Sequence, residues 1–90
     1  MNLNAIYAIS EGVHVREEEF GLLLVSKTTP ALALNDDMKF VWNLINGKST
    51  YSQILDTVKA QYGETDIDPK VDEIFSTLIK VGLVQLVKEG

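Results

Sequence analysis

The chain has no cysteine, only one histidine and two prolines, and no long hydrophobic run in its 90 residues. Without cysteine there is no disulfide framework, no thiol nucleophile and no thiolate metal site. His14 has no second histidine to share a zinc ion, so carboxylates would have to supply nearly every ligand. The longest apolar runs, Ala5-Ile6-Tyr7-Ala8-Ile9 among them, are of strand length, whereas a membrane span needs about 20 residues. The start, Met1-Asn2-Leu3-Asn4-Ala5, lacks the basic and apolar regions of a signal peptide. The expectation is a soluble cytoplasmic protein.

Positive charge is also scarce. Eight basic residues against thirteen acidic ones leave a net charge of −5, and the basics are spread singly along the chain. Nucleic-acid binders neutralise phosphates with a concentrated basic face, and none is visible here. There is no G-x-G-x-x-G or Walker A pattern to cradle a phosphate. The acidic runs Glu17-Glu18-Glu19 and Glu64-Thr65-Asp66-Ile67-Asp68 are too short for a calcium-binding loop and read as solvated charge. His14 lies on the polar side of a short strand with no nucleophile or orienting partner nearby, so it reads as an ordinary exposed residue. No catalytic residue, metal or cofactor is expected, and the chain is not expected to be an enzyme.

What is present is a real but thin core. Apolar residues make up 46% of the chain, enough for one domain spanning residues 1–90. The hydrophobic period divides it. Val13-His14-Val15-Arg16 alternates, which predicts a half-buried strand with Val13 and Val15 inward, followed by a polar turn at Glu17-Glu18-Glu19. Phe20 to Ser26 reads as a strand apolar on both faces. Ala31 to Asn35 reads as a third strand, with Leu32 and Leu34 on one face and only alanines on the other. Residues 1–10 fit a strand or a loose arm, and Leu83-Val84-Gln85-Leu86-Val87 reads as an extended tail folding back on the core.

Between these the period becomes helical. Met38, Val41, Trp42 and Ile45 form one stripe behind a cap at Asn35 or Asp36, with Asn46-Gly47 as its stop. Thr50-Tyr51-Ser52-Gln53 matches a capping box ahead of Ile54, Leu55, Val58 and Tyr62, and Gly63 ends that helix. Asp68-Pro69 opens a third helix, with Asp68 as its cap, whose stripe is Val71, Ile74, Phe75, Leu78 and Ile79 and whose stop is Gly82. The predicted fold is α+β: a winged helix-turn-helix, with a three-stranded antiparallel sheet followed by three helices.

The third strand is the most suggestive element. It carries no charge, and its alanine face would let another chain approach closely. If it lies at a sheet edge, its backbone groups can pair with an extended peptide. The alternatives are an edge covered by the protein itself and an edge used for dimerisation. A winged-helix DNA-binding regulator is the rival from another class, but the outward positions of the last helix, Lys70, Asp72, Glu73, Ser76, Thr77 and Lys80, offset two lysines with two acids.

The order of these motifs resembles a known family. Val13-x-Val15-Arg16-x-Glu18-x-Phe20-Gly21, then Leu34-Asn35 before a helix with Trp42, then Asn46-Gly47 and a Thr/Ser cap, then Val81-Gly82-Leu83-Val84, is similar to the PqqD family over residues 11–87. The opening motif is also similar to the mycofactocin-chaperone branch. The family comprises peptide chaperones that act as recognition elements for ribosomally synthesised and post-translationally modified peptides (RiPPs). The resemblance implies that the domain binds the leader segment of a precursor peptide. It would then present that peptide to a modifying enzyme, often a radical SAM protein, without chemistry of its own. It implies that the leader lies along the third strand, at Thr29, Ala31, Leu32, Ala33 and Leu34. The other wall would be the last helix, at Lys70, Glu73, Ile74 and Thr77. Leu34 and Trp42 also match the family, but they read as core residues. Lys27-Thr28-Thr29-Pro30 departs from the family's glycine-type turn and aromatic strand start. Neither membrane nor nucleic acid is expected as a partner.

Overall fold

Residues 2–63 and 66–89 are described by a computed structural model. The acidic run that begins at Glu64 therefore falls partly, at Glu64 and Thr65, outside the described residues. The elements run in the order β1 (Ile6–Ile9), β2 (His14–Glu18), β3 (Gly21–Val25), β4 (Leu32–Leu34), α1 (Asp36–Leu44), α2 (Tyr51–Tyr62), α3 (Asp68–Lys80) and β5 (Val84–Lys88). The class is α+β, with three helices and antiparallel sheets. None of these helices is long and apolar enough to cross a membrane.

The expected three-stranded sheet is present, in the order β2-β3-β4. Its hairpin is tighter than the sequence suggested. Glu17 and Glu18 belong to β2, and the chain reverses over Glu19 and Phe20 because Glu18 pairs directly with Gly21. Leu22 and Leu24 turn one face of β3 into the core, while Leu23 and Val25 are half-buried on the other. Val15 shares the inward face with Leu24, yet it is 45% exposed, because β2 lies at the sheet's outer margin where the helices do not cover it. The expectation of a half-buried β2 is corrected accordingly.

Beyond that sheet, the structure adds a second. β1 and β5 pair antiparallel, with Tyr7 opposite Leu86 and Ile9 opposite Val84. The register continues outward, since Ser10 N–H donates to the Leu83 carbonyl at 3.0 Å. The ambiguous start and the extended tail thus complete each other. β1 also closes the start of α2: the carbonyls of Ala5 and Leu3 accept from the N–H groups of Tyr51 and Ser52 at 2.8 and 2.9 Å. These are donors that a helix N-terminus leaves without intrahelical partners.

The helix boundaries follow local chemistry. Asn35 caps α1 by accepting from Met38 N–H, and Thr50 and Gln53 form the reciprocal capping box of α2. Gly63 ends α2 in a left-handed conformation, φ 66°. Gly82, φ 84°, closes α3 in a Schellman arrangement: it donates to Ile79 while Leu83 donates to Leu78. Two expectations are corrected. α1 ends at Leu44 with Ile45 extended, and Gly47 instead turns the chain so that its N–H reaches the Tyr7 carbonyl at 3.0 Å. Asp68 is the first residue of α3, not its cap; Ile67 takes that place without a side-chain bond.

The core draws Leu22, Leu24 and Leu34 from the sheet and Val41, Trp42, Ile54, Val58, Val71, Phe75 and Leu78 from the helices. At its centre Phe75 stands edge-on to Tyr51 and Tyr7, at 5.0 and 5.2 Å between ring centres. That cluster ties β1, α2 and α3 together. Burying each such side chain is worth roughly 1.5–3 kcal/mol. The Tyr51 hydroxyl donates to Asp72 Oδ1, on the side of α3 turned towards α2.

Candidate functional site

β4 is short, uncharged and at the sheet edge. It pairs with β3 through Leu22–Leu34, Leu23–Ala33 and Leu24–Leu32, and no described strand pairs with its other side. The Leu34 carbonyl oxygen points towards β3, where it lies against Gly21. In an antiparallel ladder the N–H and C=O of one residue face the same side, and sides alternate along the strand. Leu32 and Leu34 therefore direct their backbone groups into the sheet. Ala33 directs its N–H and C=O to the open edge.

The side chains agree with that division. Leu34 is fully buried and Leu32 half-buried against the core, while Ala33 and Ala31 are exposed. Ala31 lies just before the strand proper. Thr29, earlier still, packs beside the end of α3: a Cβ placed on Gly82 would stand 3.5 Å from the Thr29 methyl. Its hydroxyl oxygen is buried without a hydrogen-bond partner among the described residues.

A groove of about 340 Å³ opens beyond the C-terminal end of β4. One wall is α3, and all four α3 residues singled out from the sequence, Lys70, Glu73, Ile74 and Thr77, line it. They do so because Val71, Phe75 and Leu78 anchor α3 in the core, which turns the neighbouring stripe sideways. The opposite wall is the first turns of α1, with Asn35, Asp37, Met38 and Val41. Val58, Ile67 and Val71 form an apolar floor, and Tyr62 stands at one end. Phe40 packs edge-on against Tyr62 at 5.7 Å and fixes the ring.

The charge at the rim is mixed. Glu73 is exposed and has no ion-pair partner among the described residues, while Lys70 sits on the same wall. Tyr62's phenol is pushed above its usual value, first by burial and then by the carboxylates of Asp37 and Asp36. The α1 wall was not foreseen. Asn35 reads as a cap and Met38 as a core residue, and both do those jobs while also facing the groove.

His14 is exposed on β2. Among the described residues no three His, Asp or Glu side chains are grouped to hold a metal ion. The arrangement offers hydrogen-bonding backbone, an apolar recess and a few charges, which suits binding an extended chain.

The model of the family described as coenzyme PQQ synthesis protein D (PqqD) matches residues 21–84. The chain belongs to the PqqD family. The match runs from Gly21 at the start of β3 to Val84 at the start of β5, so it takes in β4, all three helices and the groove. It bears out the family resemblance read from the motifs; the mycofactocin branch has no counterpart in it. No curated protein and no solved structure is significantly similar to the chain. PqqD-family membership implies a peptide-chaperone role in the making of a cofactor or of another RiPP. Thr29, Ala31, Leu32, Ala33 and Leu34 fall on or before the edge strand, and the four α3 residues fall on the groove wall.

Proposed function

We propose that this PqqD-family chain binds the leader segment of a ribosomally made precursor peptide and presents it to a modifying enzyme. The guest adds as a strand to the open edge of β4. Ala33 supplies the outward backbone donor and acceptor, and Ala31 and Ala33 leave room for close approach. The α3 stripe Lys70, Glu73, Ile74 and Thr77, which faces α1 across the groove beyond β4, receives the continuation of the guest. The chain carries out no chemistry; a radical SAM enzyme, to which it delivers the peptide, does.

One observation carries this reading. β4 is an uncharged edge strand with no partner on its outer side among the described residues, and it runs directly into an apolar groove. Unpaired edges are ordinarily guarded by charge or proline. β2, the opposite edge, has Arg16, Glu17 and Glu18; β4 has none. We read the three helices and the sheet as a winged-helix variant put to peptide binding. The net charge of −5 and the acids at the groove support a peptide guest over DNA.

The test is titration of a leader peptide into the ¹⁵N-labelled chain. Amide shifts concentrated at residues 31–34 and along the Lys70–Thr77 face are expected. Shifts confined to other surfaces would remove this mode of binding.

A further inference from the structure

The α1–α3 groove is distinct from the β4 edge. No residue of β4 lines it, and the two meet only at Asn35, which follows Leu34 and caps α1. A peptide paired along β4 would therefore leave the strand at the mouth of the groove. Which end of the peptide arrives there depends on its direction. Every ladder among the described residues is antiparallel, and antiparallel pairing is slightly the more stable per residue. An antiparallel guest brings its N-terminal side to Asn35.

Size and chemistry restrict what fits. At about 340 Å³ the groove is at the small end of ligand pockets, which run from roughly 300 to 1,000 Å³, so it suits one or two side chains. Met38, Val41, Val58 and Ile74 make the recess apolar. Its rim carries Asp37 on the α1 wall and Lys70 and Glu73 on the α3 wall; Lys70 already has an interaction partner, whereas Glu73 has no ion pair among the described residues. A cation between the two walls would meet both carboxylates, whereas an anion would be repelled by both.

We propose that the α1–α3 groove selects guests carrying a bulky aliphatic or aromatic residue beside a Lys or Arg. These residues would lie on the N-terminal side of the segment paired with β4. The apolar side chain fills the recess, and the basic one bridges Asp37 and Glu73. The motif starts about two residues before the guest position facing Ala33, the distance from Ala33 to Asn35 along a strand at roughly 3.3 Å per residue. This rests on strand addition at β4 and specifies the guest that β4 accepts.

The experiment selects binders from a displayed library of random 12-residue peptides on the full chain. The selected peptides are then synthesised, and their binding is followed by fluorescence anisotropy and ¹⁵N amide shifts. The expected motif is an apolar residue next to Lys or Arg, N-terminal to the paired stretch. For such a peptide, Glu73→Lys lowers affinity on the order of tenfold, as a like charge at an interface rim does. Replacing the peptide's basic residue by Glu restores binding to that variant. Ile74→Ser weakens both peptides alike. Glu73 is exposed, so its variants keep the fold, which the unchanged amide spectrum of the free protein verifies. If peptides shift residues 31–34 but show no such motif and bind Glu73→Lys as well as the native chain, the pocket is overturned and strand addition stands. If no peptide shifts residues 31–34, both fall.

Discussion

The Leu34 carbonyl oxygen occupies the place where a side chain on Gly21 would begin: a Cβ built there comes within 2.0 Å of it. Real Cβ atoms do not approach a backbone oxygen that closely. Gly21 also has φ +141°, a conformation L residues rarely adopt. The close passage of β3 and β4 at the base of the site therefore depends on the missing side chain, and it gives meaning to the Phe20-Gly21 motif.

Gly21→Ala is expected to push β4 off β3 and to destabilise the chain by more than about 2 kcal/mol, from steric collision and backbone strain together. In a domain this small that lowers the Tm by on the order of 10 °C. Gly12→Ala is the control. Gly12 also has a positive φ, +79°, but nothing stands within 4 Å of its Cβ position, so only the backbone term of roughly 1 kcal/mol applies. Urea or thermal unfolding of both variants checks the difference.

Ala33→Pro separates the edge from the fold. Proline removes an N–H, and at Ala33 that N–H faces the open side and serves no pair within the sheet. Edge positions of this kind tolerate proline. Stability is expected to change by less than about 1 kcal/mol, while peptide affinity falls at least about tenfold through loss of a ladder bond and of the extended geometry. Leu32→Pro, whose N–H is directed into the sheet, is expected to damage the fold itself. Circular dichroism with anisotropy titration distinguishes the two.

Alkaline pH tests the contact between α2 and α3, where Tyr51 meets Asp72. Tyr51's phenol is held protonated well above its usual value of 10.0, by burial first and then by its bond to Asp72. Its folded-state pKa is raised, so its contribution is complete below pH 10, where the unfolded chain keeps the proton too. The contribution is lost as pH rises past 10, because only the unfolded chain releases the proton. Stability measured by urea unfolding should therefore decline from pH 9 to 11. Tyr51→Phe should cost about 1 kcal/mol at pH 7, the scale of one hydrogen bond, and should show a shallower decline. Part of the slope remains in that variant, because Tyr7's pKa is raised as well, mainly by burial.

The parts of the fold legible in the sequence are those fixed by neighbouring residues. Asn35, the Thr50–Gln53 box, Gly63 and Gly82 announce helix ends because caps act within one turn. Leu32 and Leu34 announce the inward face of β4 by alternation. The β1–β5 sheet was not legible, since Tyr7 and Leu86 are separated in sequence by three helices, and neither strand alone carries more than four or five residues of signal. Val15 misled because alternation gives the face a residue points to and not whether that face is covered. At the site, it was the family resemblance, not the helical period, that pointed to Lys70, Glu73, Ile74 and Thr77, all of which line the groove. The α1 wall escaped because Asn35, Asp37 and Met38 already had sufficient reasons to be where they are, as a cap, an acidic first turn and an apolar stripe.

Amide hydrogen exchange at β4, with and without a leader peptide, tests the open edge most directly. In the free chain Leu32 and Leu34 should be protected by β3 while Ala33 exchanges rapidly, and saturating peptide should slow Ala33 by at least about tenfold, as a new hydrogen bond to the guest requires. An Ala33 amide already protected in the free chain, or one that still exchanges rapidly with peptide bound, would contradict strand addition at this edge.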